Sequence, residues 1–427
     1  MKNLVKIIVL LFVVFFSFRA EATNYFVNDG STSGDKFCSS IGAVGNLGTT
    51  KATPNTKLSY IFSNYVLTVN DTVFIDAGTY NDLKTIVGAN DHDFVIYGAS
   101  NCGTISTIYD GLSNPDGGWL ELKKSTNSNI KICNIYIKNH IRKSTASNEG
   151  GALRCWGESI TGLSLNNCVF ENCDAPSSSG GGAIYYRNYW GDATLNLTDV
   201  KVFSSDNPLT GAVSVDASYR IDMTISRCSF YSNTSGTSGS AFSITGWTGS
   251  NVNISNSLFY KNEVKIGGHN GALWIDQTGG RVTLTMNSTT IAYNKSFLGN
   301  YAGLVIGNGG TITNSIIYGN DKYDVYKAGG SLTLTNTYYK FKSGTMSTPS
   351  CSTSDPLFKN TVTDDYSLSS SSTCINTGMV IGAPTNDILQ ATRDALPDIG
   401  CYEYGVTSSF STPTISGITS VCVGATT

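Results

Sequence analysis

Short runs of alternating apolar and polar residues recur along the chain. Examples are Ala193-Thr-Leu-Asn-Leu197, Ile221-Asp-Met-Thr-Ile225, Val252-Asn-Ile254 and Val282-Thr-Leu-Thr-Met286. Successive side chains of a strand point to opposite faces, so each run predicts a strand with one buried face. Clusters of Gly, Asn and Ser separate the runs every 8–12 residues. Beyond the N-terminus no stretch keeps helical periodicity long enough to predict a helix.

The strands repeat as a unit. Gly151-Ala-Leu153, Gly182-Ala-Ile184, Gly211-Ala-Val213, Ser240-Ala-Phe242, Gly271-Ala-Leu273 and Ala302-Gly-Leu304 follow at steps of 31, 29, 29, 31 and 31 residues. A second column runs through Ile137, Phe170, Phe203, Phe230, Phe259, Ile291 and Ile317, which is 180 residues in six steps, or 30 per step. An up-and-down barrel or a sandwich shares the strand spacing but not the fixed period. A parallel β-helix keeps it, because each repeat is one coil and equivalent residues stack about 4.8 Å apart. The predicted fold class is all-β, a single-stranded parallel β-helix (solenoid) with N- and C-terminal caps. The Phe/Ile column predicts a continuous core. Asn139, Asn172, Asn233, Asn262, Asn294 and Asn320 trail it by two or three positions and predict turns that hydrogen-bond along their own stack. The Gly-Ala step predicts a tight corner.

The first residues predict a targeting segment. Lys2 and Lys6 precede the apolar run Ile7 to Phe16, and Ala20-Glu-Ala22 is a small-x-small cleavage site. Residues 1–22 are read as a signal peptide cleaved near Ala22. The run is too short to span a bilayer, and no later stretch is apolar enough to do so. The chain is expected to be secreted, extracellular or held at the cell surface.

Composition then excludes several classes. Charged residues make up 14% of the chain, against roughly 25% in an ordinary soluble domain. The formal charge is 28 − 31 = −3, so no basic field points to nucleic acid. The 11 cysteines are an odd number, no Cys-x-x-Cys occurs, and there are 3 histidines; no zinc site is expected. Cys351 and Cys374 flank one short segment and are the first expected disulfide, with Cys38–Cys102 as a second. Cys133, Cys155, Cys168 and Cys228 lie in strand-like runs and read as buried free thiols.

Particular motifs resemble known families. Gly150-Gly-Ala-Leu153 and Gly181-Gly-Ala-Ile184, with Phe230-Tyr-Ser-Asn233 and Phe259-Tyr-Lys-Asn262, are similar to the GGAI and FxxN halves of a repeat found in bacterial surface β-helix proteins, including polymorphic outer-membrane adhesins. Asp71-Thr-Val-Phe-Ile-Asp-Ala-Gly-Thr-Tyr80 resembles the first coil of secreted pectate-lyase-like β-helix proteins. Asp355-Pro-Leu-Phe358, Asp365-Tyr366, Cys374-Ile-Asn-Thr-Gly378 and Asp398-Ile-Gly-Cys-Tyr-Glu-Tyr404 together resemble the C-terminal module of bacterial choice-of-anchor proteins. The resemblance implies a right-handed helix and export. It does not select an activity, because these families include lyases, hydrolases and non-catalytic adhesins.

The expected organisation is a cap over 23–65, coils over 66–345 and a C-terminal capping module over 346–405. Residues 406–427 are a linker and the start of a truncated immunoglobulin-like module, since Pro413 to Gly424 resembles the opening strand of one. The chain is expected to be a monomer.

Candidate chemistry lies in the strand after the Gly-Ala corner, where alternate residues point outward. One outward column is Arg154, Tyr185, Ser214, Ser243, Trp274 and Val305. The next is Trp156, Arg187, Asp216, Thr245, Asp276 and Gly307. With Tyr189 and Trp190 of the adjoining loop, Arg154, Trp156, Tyr185, Arg187 and Trp274 form the expected ligand-binding strip for a polysaccharide or surface glycan. Rings stack on sugar faces while polar groups read hydroxyls. The alternative is that these aromatics pack against neighbouring loops. The catalytic candidates are Asp216, Asp276 and Arg187. Resemblance to pectate lyases would imply Ca²⁺-binding carboxylates with an Arg base. Resemblance to polygalacturonase-like hydrolases would imply paired Asp, Gly-His-Gly and Arg-x-Lys motifs. Gly267-Gly-His-Asn-Gly271 echoes the second loosely, and Arg220-Ile-Asp222 lacks the Lys. No metal site is expected; Asn90-Asp-His-Asp93 and Asn320-Asp-Lys-Tyr-Asp324 are the two places with oxygen ligands for Ca²⁺, and both also read as acidic turns. The leading function is a non-catalytic glycan or surface binder. A polysaccharide lyase or glycoside hydrolase is the alternative, and a purely structural stalk is the third.

Overall fold

The computed structural model describes residues 22–406, apart from 102, 115–116, 124–127, 144–148, 158–160, 177–179, 190, 247–248, 267–270, 276–281 and 298–300. The signal peptide, apart from Ala22, and the immunoglobulin-like start lie outside the described residues, as do Cys102, Trp190, His269 and Asp276.

The chain is a parallel β-helix. Among the described residues, sheet A has 11 strands, from Asn24–Val27 to Leu332–Thr335. Sheet B has 10, from Gly78–Tyr80 to Tyr338–Tyr339, and sheet C has 10, from Thr85–Val87 to Lys342–Ser343. Each coil visits A, B and C in turn, and equivalent residues pair in parallel register: Ile132 with Leu165, Ile137 with Phe170, Leu153 with Ile184.

The corner between A and B is one residue in the left-handed region. Asn134, Asn167, Asp199, Arg227, Asn256, Ser288, Asn314 and Asn336 occupy it with φ between 46° and 58°. Asn dominates there because its short polar side chain tolerates that conformation. The corner into C needs glycine for a different reason. Gly181 has φ +46, and a Cβ there would stand 1.9 Å from the Ile184 carbonyl oxygen.

The interior is one column per inward position. Ile137, Phe170, Val202, Phe230, Phe259, Ile291 and Ile317 are buried at 0% exposure, and the Phe230 and Phe259 rings stack at 4.8 Å. Burying such side chains stabilises by about 1.5–3 kcal/mol each. Val202, not the expected Phe203, fills the column. Phe203 points outward and stacks on Tyr231 at 4.7 Å. Val202 and Phe203 are both apolar, so alternation alone did not separate them.

The expected asparagine stack is two columns. Asn139 and Asn172 have positive φ and sit in the turn itself. Asn233, Asn262, Asn294 and Asn320 sit one position later and are buried. Each inward Asn accepts, at its Oδ1, the backbone N–H and the Nδ2 of the one before it. The ladder ends on Asp324, whose Oδ1 accepts from Asn320 N and Nδ2, while its Oδ2 accepts from Lys340 N and Phe341 N.

The N-terminal end is covered by α1 (Leu58–Asn64), whose Leu58, Ile61 and Phe62 join the core. The strand Asn24–Val27 lies inside the expected cap yet is the first strand of sheet A. At the other end Ser347 and Ser352 still bridge to Thr333 and Tyr338. Residues 355–405 pack beside the last coils. They run back along the flank of sheet B as a strap. Tyr366, Ile388 and Cys401 pack on Leu258, Tyr260 and Ala292, and Leu368, Cys374 and Ile399 pack on Ile316, Tyr318 and Tyr338. Corner asparagines clamp it: Asn256 Nδ2 donates to Asn386 O, Asn314 Nδ2 to Met379 O and Asn336 Nδ2 to Thr377 O.

The cysteine expectation is corrected here. Cys351 and Cys374 are both free thiols. Cys351 packs on the main core with Sγ 3.3 Å from Leu334 O, whereas Cys374 belongs to the strap cluster. The two side chains enter different apolar clusters. Cys155, Cys168 and Cys228 are buried free thiols, and Cys133 is a half-buried one. Burial pushes the thiols of Cys168 and Cys228 up to about 12, out of the reactive range.

Candidate functional site

The outward face of sheet C carries the candidates on Leu153–Gly157, Ile184–Asn188 and Val213–Ala217. Register places Arg154 beside Tyr185 and Trp156 beside Arg187, then Arg187 beside Asp216 and Asp216 beside Thr245.

The first outward column is not accessible. Arg154, Tyr185, Ser214, Ser243, Trp274 and Val305 are all buried. Described loop glycines crowd them: an added Cβ would stand 2.5 Å from Tyr185 Cδ2 at Gly180, 3.0 Å from Trp274 Cβ at Gly239 and 2.9 Å from Val305 Cγ2 at Gly271. Arg154, Tyr185 and Trp274 therefore leave the expected ligand-binding strip.

Arg154 belongs to a buried charge cluster. Its Nη1 donates to Glu121 Oε1 at 2.8 Å and its Nε to Glu149 Oε2 at 3.1 Å. Arg142 donates from Nη1 to Glu121 Oε2 at 3.3 Å and from Nε to Gly150 O at 3.0 Å. Burial lowers the Arg142 guanidinium from its ordinary value, against the pull of Glu121. A buried arginine needs such partners, because an uncompensated charge there costs several kcal/mol. Glu121, Glu149 and Arg142 were not among the candidates. The sequence did hold one signal: Glu121 interrupts the apolar pair Leu120 and Leu122, 33 residues before Arg154.

The second column forms the accessible strip. The Arg187 guanidinium lies over Tyr189 at 4.1 Å and beside Trp156 at 5.4 Å. Arg154 lies 4.1 Å from the centre of the same Trp156 ring, and the Trp156 and Tyr189 rings meet edge-on at 6.4 Å. Arg187 Nε stands 3.2 Å from Asp216 Oδ2, with side chains 26% and 41% exposed. The alignment is too poor for a hydrogen bond, so this is an electrostatic pair worth about 0–1 kcal/mol at such exposure. Thr245 Oγ1 donates to Val215 O at 3.2 Å and lies 3.4 Å from Asp216 Oδ1. The result is a row of two rings, a guanidinium, a carboxylate and a hydroxyl on rigid strands, each held by its neighbour. Trp190 and Asp276 lie outside the described residues. Of the three catalytic candidates, Asp216 and Arg187 are thus neighbours on one face.

The two oxygen-rich turns are already occupied by the chain. Asp91 accepts from Leu67 N and Gly88 N, Asp93 from Asn129 N, Asp321 from Ser296 N, and Asp324 ends the asparagine ladder. Asp364 pairs with Lys261, and Asp365 with Lys359 at 3.3 Å. Among the described residues no three His, Cys, Asp or Glu side chains converge, and no helix is long and apolar enough to cross a membrane.

No family model and no curated protein matches the chain. Among solved structures, the crystal structure of pectate lyase Pel9A is similar over 90% of this chain and 96% of that one, with TM-score 0.45 and 14% identity.

Proposed function

We propose that this is an exported β-helix protein that binds polysaccharide along the outer face of sheet C without cleaving it. The observation that carries the reading is Arg187. It is half-buried, flanked by Trp156 and Tyr189, and paired with the more exposed Asp216. Such a group is pre-oriented, so little side-chain entropy is lost when it meets a ligand. Rings beside polar groups that both donate and accept suit sugar hydroxyls and sugar faces. Among the described residues, Glu121, Glu149 and Asp216 each stand within ion-pair distance of an arginine, which favours recognition over proton transfer at those carboxylates.

Affinity electrophoresis on gels containing acidic and neutral polysaccharides tests the reading. One polymer should retard the protein, and Trp156→Ala or Arg187→Ala should abolish most of the retardation. Equal retardation of wild type and both variants would overturn it. The lyase or hydrolase reading rests on the same two groups, Arg187 and Asp216, and predicts product as well as binding.

A further inference from the structure

Arg154 is too deeply buried to touch a ligand on the sheet C strip, yet its guanidinium meets a ring that can. Arg154 is 4% exposed, and its Cζ lies over the Trp156 ring, 4.1 Å from the centre. Trp156 follows two residues on in the strand Leu153–Gly157, so both side chains leave the same face. Trp156 is half-buried. The guanidinium therefore covers one face of an indole that still reaches the surface.

The guanidinium is itself fixed. Its Nη1 donates to Glu121 Oε1 at 2.8 Å and its Nε to Glu149 Oε2 at 3.1 Å. Glu121 is the register partner of Arg154 in the preceding coil, and Arg142 holds its second oxygen at 3.3 Å. Carboxylates on two edges of a planar fork set both its place and its tilt. A desolvated cation also attracts a ring face more strongly than an exposed one. The outer contacts of Trp156 are longer. Arg187, with a side chain 26% exposed, lies 5.4 Å from the ring centre, and Tyr189 meets the ring edge-on at 6.4 Å.

We propose that Arg154 is the positioning residue of the sheet C site: clamped by Glu121 and Glu149, it holds the Trp156 indole in the orientation that meets the polysaccharide. The inference rests on the sheet C reading and adds to it a residue that never touches the ligand. A ring ordered beforehand loses little freedom on binding, so the clamp shows as affinity.

The test is a double-mutant cycle on the full chain, read by affinity electrophoresis in the polymer that retards the wild type. Arg154→Lys keeps a charge beside both glutamates but cannot lie flat on the ring. It should weaken binding about fivefold, the cost of immobilising one large side chain. In the Trp156→Leu protein, measured at raised polymer concentration, the same change should leave the remaining affinity unaltered. A residue that only supported the fold would weaken both alike. A second readout needs no ligand. Acrylamide quenching of Trp156 fluorescence, taken as the difference between each protein and its Trp156→Leu counterpart, should rise in Arg154→Lys with unchanged circular dichroism. Wild-type affinity in Arg154→Lys, equal weakening in the two backgrounds, or unaltered quenching would overturn the positioning role and leave the sheet C reading in place. No retardation of the wild type by any polymer would overturn the sheet C reading itself, and this inference with it.

Discussion

The inward asparagine ladder makes the sharpest stability prediction. Asn262 is buried. Its Oδ1 accepts from Asn233 N at 3.1 Å and Asn233 Nδ2 at 3.0 Å. Its Nδ2 donates to Phe230 O at 2.9 Å and Asn294 Oδ1 at 2.9 Å. Asn262→Leu keeps the bulk and removes these bonds. The Asn233 N–H then loses its acceptor inside the core, at about 1–3 kcal/mol. Asn233 Nδ2 keeps Val202 O as a partner, and Asn294 Oδ1 keeps the backbone N–H of residue 262, so they add fractions. The expected loss is about 2–4 kcal/mol. Asn172→Leu is the control. Asn172 lies in the turn, exposed, with φ 50°, and its replacement should cost only about 1–2 kcal/mol for forcing Leu into the left-handed region. Urea unfolding followed by circular dichroism measures both. A loss below 1 kcal/mol in Asn262→Leu, or a larger loss in Asn172→Leu, would refute the ladder as a stabilising element.

Three further outcomes follow from buried charge. Glu121→Ala leaves Arg142 and Arg154 without their shared carboxylate and should destabilise by about 3–5 kcal/mol in urea unfolding. Arg393 is buried and donates to Glu403 Oε2 at 2.8 Å, Asn256 Oδ1 at 3.0 Å and Gly400 O at 2.8 Å. Arg393→Ala should release the strap, read as rapid proteolysis between residues 355 and 405 with the coils intact. Burial holds His140 at about 4, below its ordinary 6.5. The unfolded chain therefore takes up the proton first, and stability from this group is lost as pH falls from 6.5 through 4, by at most about 3 kcal/mol. Asp398 acts in the opposite sense, since burial raises it to about 6. The measurable quantity is thus the difference between wild type and His140→Phe, whose stability should fall less over that range.

Much of the fold was legible because a solenoid writes each structural position many times. The small-residue corner recurs at six positions between 151 and 304 and the apolar column at seven between 137 and 317, and both were read at the right period. Slips arose where two neighbouring residues fit one role. Val202 and Phe203 are both apolar, and only register chose Val202. Asn172 and Asn233 look alike in sequence, yet one makes the turn and the other faces inward because the residue count after Phe differs by one. The candidate site was half legible. Alternation found the outward columns, but what covers a column depends on loops with no periodicity, and glycine-rich loops buried Arg154, Tyr185 and Trp274. The path of the strap was hidden for the same reason, and with it the separation of Cys351 from Cys374.

The central claim, binding along sheet C without cleavage, is tested most directly by polysaccharide breakdown. Purified protein is incubated with the polymer that retards it, with and without Ca²⁺, and new reducing ends and absorbance at 235 nm are followed. The account predicts no turnover above a blank for the wild type, alongside binding lost in Arg187→Ala. Sustained turnover that disappears in Asp216→Ala or Arg187→Ala would contradict it and make the same strip an active site.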